Sequence, residues 1–412
     1  MLAFKEFLSE QAEQNVHMEH VEDLLFNEGV AGTRKAINFF LDLRTMLSGN
    51  SQSKVSATVK WDGAPAVFAG IDPRDGKFFV AKKGVFNKEP KVYKTPADVD
   101  ADTDGDLAVK LKTALQEFKK LGIKSGVFQG DLMFTDDTVN TETIDGQKYT
   151  TFHPNTIIYA VPYDSDLAAK IRSAKIGVVW HTIYTGDSFP EMKASFGKSI
   201  VSQLKQTPSV WMDDATYRDV SGTATFTASE SKQLTDILSQ AGQVFRGLPA
   251  TALNGIHQRP ELMLMIKTFN NSKIRANQSI TDPVSHGMEA KKTIASKLQQ
   301  DIDSRKTEKG KAGARAIAER VLSYFDHVTD KQFTDVFKLM VLLTQAKSMV
   351  VKKMNQASGI GTFLKTKSGF KVTNVEGYVA IDHISGNAVK LVDRLEFSSA
   401  NFSPDVIKGW QR

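Results

Sequence analysis

The order in which strand-like and helix-like stretches succeed one another constrains this chain more than any single motif. From Val55 the sequence reads as short apolar or alternating runs bounded by Gly, Pro and Asp: "KVSATVKWDGAPAVFAGID", "GKFFVAKKGVF", "SGVFQGDLMF", "TIIYAVPY" and "KIGVVWHTIYTG", with one helix predicted over Leu107–Leu121. Helical spacing then takes over. A capping box at Thr227 and Glu230 precedes Leu234, Ile237, Leu238 and Ala241, and a second at Thr329 and Gln332 precedes Phe333, Val336, Phe337, Met340 and Leu343. Near the end, "SGFKVTNVEGYVAIDHISGNAVKLVDRLEF" returns to alternation around glycine turns. Strands at the end of a chain need a sheet to join. The economical solution is one α+β domain, residues 51–190 and 351–412, interrupted by a helical insertion over 191–350. Residues 1–50 form a helical segment of their own, in which Ile37, Leu41, Leu43 and Leu47 share a side before Gly49 ends the pattern.

Composition narrows the chemistry. There is no cysteine, so no disulfide, thiolate metal site or cysteine nucleophile exists, and a metal must be held by oxygen or imidazole; magnesium is the natural expectation. A net charge of +6 suits a phosphate-rich partner. The opening "MLAFKEFLSEQAEQ" builds no secretory signal, and "VFKLMVLL" is far short of the ~20 residues of a membrane span, so a cytoplasmic protein without a membrane partner is expected.

The stretch "TVKWDGAPAVFAG" puts Lys60 at the end of a predicted strand and a sharp turn, Asp62 and Gly63, directly after it. An ammonium is no nucleophile, but burial and neighbouring cations lower a lysine's pKa, and the free amine can attack phosphorus or a carbonyl. Lys82, Lys83 and Lys390 are candidates for those neighbours and for neutralising phosphates. Gly63 would let the backbone approach a ligand closely.

Lys-x-Asp-Gly alone is weak, but it is followed in order by "AKKG", "FQGDLMF", "KIGVVWHTIY", "VEGYVAID" and "VKLVDR". This set resembles the covalent nucleotidyltransferase superfamily of ATP-dependent DNA ligases, RNA ligases and mRNA capping enzymes, and "TVKWDGAPAVFAG" and "TFHPNTIIYAV" are also similar to uncharacterised tailed-phage proteins. The resemblance implies an antiparallel-sheet nucleotidyltransferase domain of the ATP-grasp-like ligase type. It implies ATP and Mg2+ as cofactors, with Lys60 as the residue that becomes lysyl-AMP and Asp62 and Gly63 completing its motif. By the same resemblance Lys82 or Lys83 would lie near the ribose and phosphates, Asp131 at the ribose or metal, and Trp180, beside His181, against the base. Glu376 would then sit at the metal and Lys390 at the α-phosphate.

The match covers residues 51–190 and 365–400 and departs from the family in several ways, one being the 316 positions between Lys60 and Glu376, which the helical insertion accounts for. Ala64, Pro65 and Ala66 stand where an arginine often follows the glycine, and Ala388 and Val392 stand where a second lysine would flank Lys390. Since few residues follow Ala400, no oligonucleotide-binding barrel is expected there. That favours an RNA-ligase-like enzyme, with RNA ahead of DNA as the partner. A DNA ligase, a capping-type guanylyltransferase, or an inactive nucleic-acid-binding protein that kept the fold are the alternatives. Lysines 77, 82, 83, 88, 91 and 94, against Glu89 alone, could follow a phosphate backbone, as could the basic excess in 289–320. Three further signals point to no site: "DVDADTDGD" has Leu111 where a calcium loop needs glutamate, "HMEH" lacks a third ligand, and His153 in "TFHPNT" reads as a turn histidine.

Overall fold

The structure is a computed structural model and describes residues 19–48, 55–196, 200–216, 224–357, 360–382 and 388–411. Gly49, His17 of "HMEH" and residues 383–387 lie outside these. The strands are β1 Val55–Lys60, β2 Ala66–Ile71, β3 Phe78–Ala81, β4 Val127–Thr135, β5 Val139–Ile144, β6 Gln147–Phe152, β7 Ile157–Pro162, β8 Ile176–Thr185, β9 Lys193–Phe196, β10 Val210–Asp213, β11 Gly361–Thr366, β12 Gly369–Val372, β13 Gly377–Asp382 and β14 Ala388–Leu391.

They form three sheets. The central one runs β10-β8-β4-β2-β3 with β9 on β8, a second runs β12-β11-β7-β6-β5, and a small third runs β1-β13-β14. The second and third each draw strands from both halves of the sequence, so the strands at the end of the chain do join sheets begun before the helices. Every described strand pair is antiparallel except β10 on β8.

Side-chain parity decides what each sheet buries. In the central sheet Val67, Ala69, Leu132, Val178 and Trp180 turn to one face and pack on the helix Gly105–Phe118 through Ala108, Leu111, Leu115 and Phe118. In the small sheet Val55, Ala57, Tyr378, Ala380, Val389 and Leu391 turn to the helical unit. There they join Leu234, Leu238, Phe333, Val336, Phe337 and Leu343, the apolar stripes read from the sequence. Both predicted capping boxes form: Thr227 Oγ1 accepts from the Glu230 amide at 3.2 Å, and the Glu230 carboxylate accepts from the Thr227 amide at 2.8 Å, with the same exchange at Thr329 and Gln332.

Two boundaries differ from the expectation. The helical unit starts at Ala228, because residues 193–213 supply β9 and β10 to the central sheet. The helix Gly29–Leu47 is no separate segment, since Phe39, Phe40, Leu43 and Leu47 lie in the same core as the later helices. No described helix is long and apolar enough to cross a membrane.

Candidate functional site

A cleft of about 270 Å³ opens between the central sheet and the small sheet, near the lower end of the usual size of small-molecule sites. The central sheet lines it with Ala66 and Phe68 from β2, Gln129 and Asp131 from β4 and Val179 from β8. These stand in register, Ala66 opposite Asp131, Phe68 opposite Gln129 and Asp131 opposite Val179. The small sheet closes the other side with Thr58, Lys60, Val379, Ile381 and Lys390. Lys60, Lys83, Asp131 and Lys390 therefore meet at one cavity. Glu376, just before β13, joins them by direct contact of its carboxylate with the Lys60 ammonium, because Lys60 is paired with Gly377 across β1 and β13.

Burial dominates the electrostatics. The Asp131 and Glu376 carboxyls are each pushed up to about 7 by loss of water, although Lys60 pulls both down. Burial, and then the neighbouring Lys60 charge, hold Lys390 below the ordinary lysine range. His181 is held at about 4 by the same two causes, so its ring is neutral at pH 7. Its Nδ1 lies 2.8 Å from Thr182 Oγ1 and its Nε2 3.7 Å from Asp131 Oδ2. Two carboxyls, Asp131 and Glu376, thus stand beside three ammonium groups, and among the described residues no cluster of three or more acidic or histidine side chains is placed to hold a metal ion.

Four of the expected site residues lie elsewhere. Trp180 is fully buried and packs on Phe118 and Phe128, ring centroids 5.1 and 6.3 Å away, on the helix-covered face of the sheet. The residue that reaches the cleft is His181. Gln129 pairs with Thr182 but Gly130 pairs with Trp180, so β8 carries one extra residue there, a β-bulge that aims His181 into the cavity. Gly130 is what lets the strands close at this point, since a Cβ would lie 2.6 Å from Val179 O.

Lys82 turns away from the cleft to pair with Asp102 at 3.0 Å, and Lys83 takes the inward position. Gly63 serves packing: a Cβ would lie 2.5 Å from Asp131 Cβ and 2.9 Å from Met133 Sδ, so the glycine lets the turn press on β4. Asp62 is buried beneath the turn and does not line the cleft. Its carboxylate accepts from the Asn155 amide group at 2.6 Å and from the Thr156 and Ile157 backbone N–H groups at 2.7 and 2.9 Å, while its own N–H donates to Tyr159 Oη at 2.7 Å.

Half of the lysine run at 77–94 is ion-paired within the fold. Lys82 and Lys91 share Asp102, and Lys94 pairs with Asp72 and Asp75 at 2.6 and 2.8 Å. Asp102 of the calcium-like stretch is thereby occupied, and His153 hydrogen-bonds within its turn, Nε2 to Thr156 O at 3.3 Å. The sequence reading passed over Gln129, Phe68 and Tyr184, whose one signal was the alternation of β4, β2 and β8. Tyr184 Oη donates to Gln129 Oε1 at 2.7 Å.

Comparison with known proteins finds one family, described as of unknown function (DUF6267), matching residues 15–405. No curated protein and no solved structure matches the chain.

Proposed function

We propose that this chain, which belongs to that family of unknown function, is a covalent nucleotidyltransferase working as an ATP-dependent ligase of RNA ends. Lys60, as the free amine, attacks the α-phosphorus of ATP. An N–P bond forms, the P–O bond to pyrophosphate breaks, and the amine gives up one proton. The AMP passes from Lys60 to a 5′-phosphate end, and a 3′-hydroxyl then displaces it to seal the strand. Such in-line displacements depend chiefly on positioning and charge neutralisation. Lys83 and Lys390 neutralise the triphosphate, and Asp131 and Glu376 would hold magnesium, which supplies further neutralisation at the phosphate oxygens. His181 and Phe68 bound the space left for the base. RNA stands ahead of DNA as the polynucleotide by analogy with RNA ligases.

One observation carries this reading: Lys60 touches Glu376 and shares a cleft with Lys83, Asp131 and Lys390, although the whole helical unit separates Lys60 from Glu376 and Lys390 in sequence. The test is incubation with ATP or GTP labelled at the α-phosphate, followed by a denaturing gel. Label retained from ATP by the wild type and lost in Lys60→Ala is expected. A nicked RNA and a nicked DNA supplied with the labelled protein then separate the substrates. Absence of label from either nucleotide would remove the enzyme reading and leave a nucleic-acid-binding protein.

A further inference from the structure

We propose that Lys408 is a positioning residue for the nucleophile: through Thr156 and Asp62 it locks the turn that follows Lys60. The inference rests on the nucleotidyltransfer reading for its consequence but on the hydrogen-bond network for its substance.

Lys408 is a lysine buried to 8% exposure with no carboxylate in direct contact. Its ammonium donates instead to three neutral acceptors, Thr156 Oγ1 at 3.1 Å, Ala400 O at 3.2 Å and Asn401 Oδ1 at 3.3 Å, using all three N–H bonds. The Thr156 hydroxyl, accepting from Lys408, donates onward to Asn401 Oδ1 at 2.7 Å. Thr156 is fully buried, and its backbone N–H donates to the Asp62 carboxylate. Asp62 and Lys408 are thus a buried pair of opposite charges with one threonine between them. Asp62 is the charged group that acts on the Lys408 ammonium, and a buried charge without an answer is costly.

The neighbouring chain fastens the same strap. Gly409 N–H donates to Asn155 O at 2.7 Å, and Asn155 is the residue whose side chain donates to Asp62. The approach is so close that a Cβ on Gly409 would lie 2.1 Å from His153 O. Ile407 N–H donates to Lys365 O at 2.8 Å, tying the strap to β11. Lys60 stands two residues before Asp62, so loosening Asp62 frees the turn that aims the amine. Misplacement of a reacting group by about 1 Å can cost about a hundredfold in rate.

The test uses the full chain with Lys408→Met, which keeps the apolar stem and removes the ammonium. Hydrogen exchange at the Asp62, Thr156 and Ile157 amides is expected to accelerate by about tenfold or more without global unfolding. In single-turnover labelling with ATP, the maximal rate should fall about 10- to 100-fold while half-saturation moves less than about twofold, and Lys408→Arg should recover part of the rate. If Lys408→Met does not fold, Thr156→Val, nearly isosteric, should give a smaller change in the same direction. Unchanged exchange at the three amides would overturn the proposal, as would a rate loss matched by an equal loss of ATP affinity. Faster exchange in the variant with no adduct in the wild type would overturn the nucleotidyltransfer reading and leave the strap standing.

Discussion

The Lys60 ammonium and the Glu376 carboxylate are in contact at the edge of the cleft, and the proposed reaction would require that amine as its free base. The Glu376 side chain is 8% exposed. Its carboxyl keeps its proton in the fold up to about 7, against an ordinary value of 4.5. Between those two values the folded protein binds a proton that the unfolded chain has released, so stability falls as pH rises through this window and is level above it. Glu376→Gln should abolish that part of the slope, a difference of about 2–3 kcal/mol between pH 4.5 and 8. Urea unfolding at the two pH values measures it; parallel slopes in variant and wild type would refute it.

Asp131 is displaced in the same sense, and a divalent cation binds the ionised carboxylates. Magnesium-dependent labelling of Lys60 should therefore climb as pH rises through about 7. Asp131→Asn should lower the labelling rate by about a hundredfold and flatten the climb. Rates at pH 6, 7 and 8 with saturating magnesium decide it.

Trp180 and His181 should separate stability from binding. Trp180→Ala removes a fully buried indole from between Phe118 and Phe128 and should cost about 3–5 kcal/mol in denaturant unfolding. His181→Ala should change stability by about 1 kcal/mol or less and weaken ATP binding about tenfold, read by calorimetry. The reverse pattern would return the base-binding role to Trp180.

Gly63→Ala sets a methyl against Asp131 and Met133 with no free space to take it. The turn must lift from β4, at a cost of about 2–3 kcal/mol in thermal unfolding, and labelling of Lys60 should drop with it. A variant as stable as wild type would show that the turn yields freely.

Much of this arrangement was legible in the sequence. The order of strands and helices required β13 and β14 to join earlier strands, and the resemblance to the nucleotidyltransferase motifs pointed to Lys60, Lys82 or Lys83, Asp131, Glu376 and Lys390. What escaped had non-local causes. The exchange of Trp180 for His181 follows from a bulge, and a bulge is a property of the pairing of β8 with β4. Lys82 and Lys83 are adjacent, and only the partner Asp102 decides which one turns inward. The four-residue strands β9 and β10 are too short to give a period, and β10 is held by parallel pairing to β8. The strap at Lys408 joins residues 252 positions apart through a single hydroxyl, which no local pattern records.

The small sheet built from β1, β13 and β14 also fixes when the protein becomes competent during its synthesis. A chain emerging from the ribosome delivers Lys60 early, but the strand that pairs with β1 and the cations at Lys390 and Lys408 arrive only after the helices between Ala228 and Met354 have been made. A nascent or prematurely stopped chain would carry Lys60 on an unpaired edge, with neither Glu376 beside it nor a finished cleft. Under the proposed reaction, such unfinished copies would consume no nucleotide.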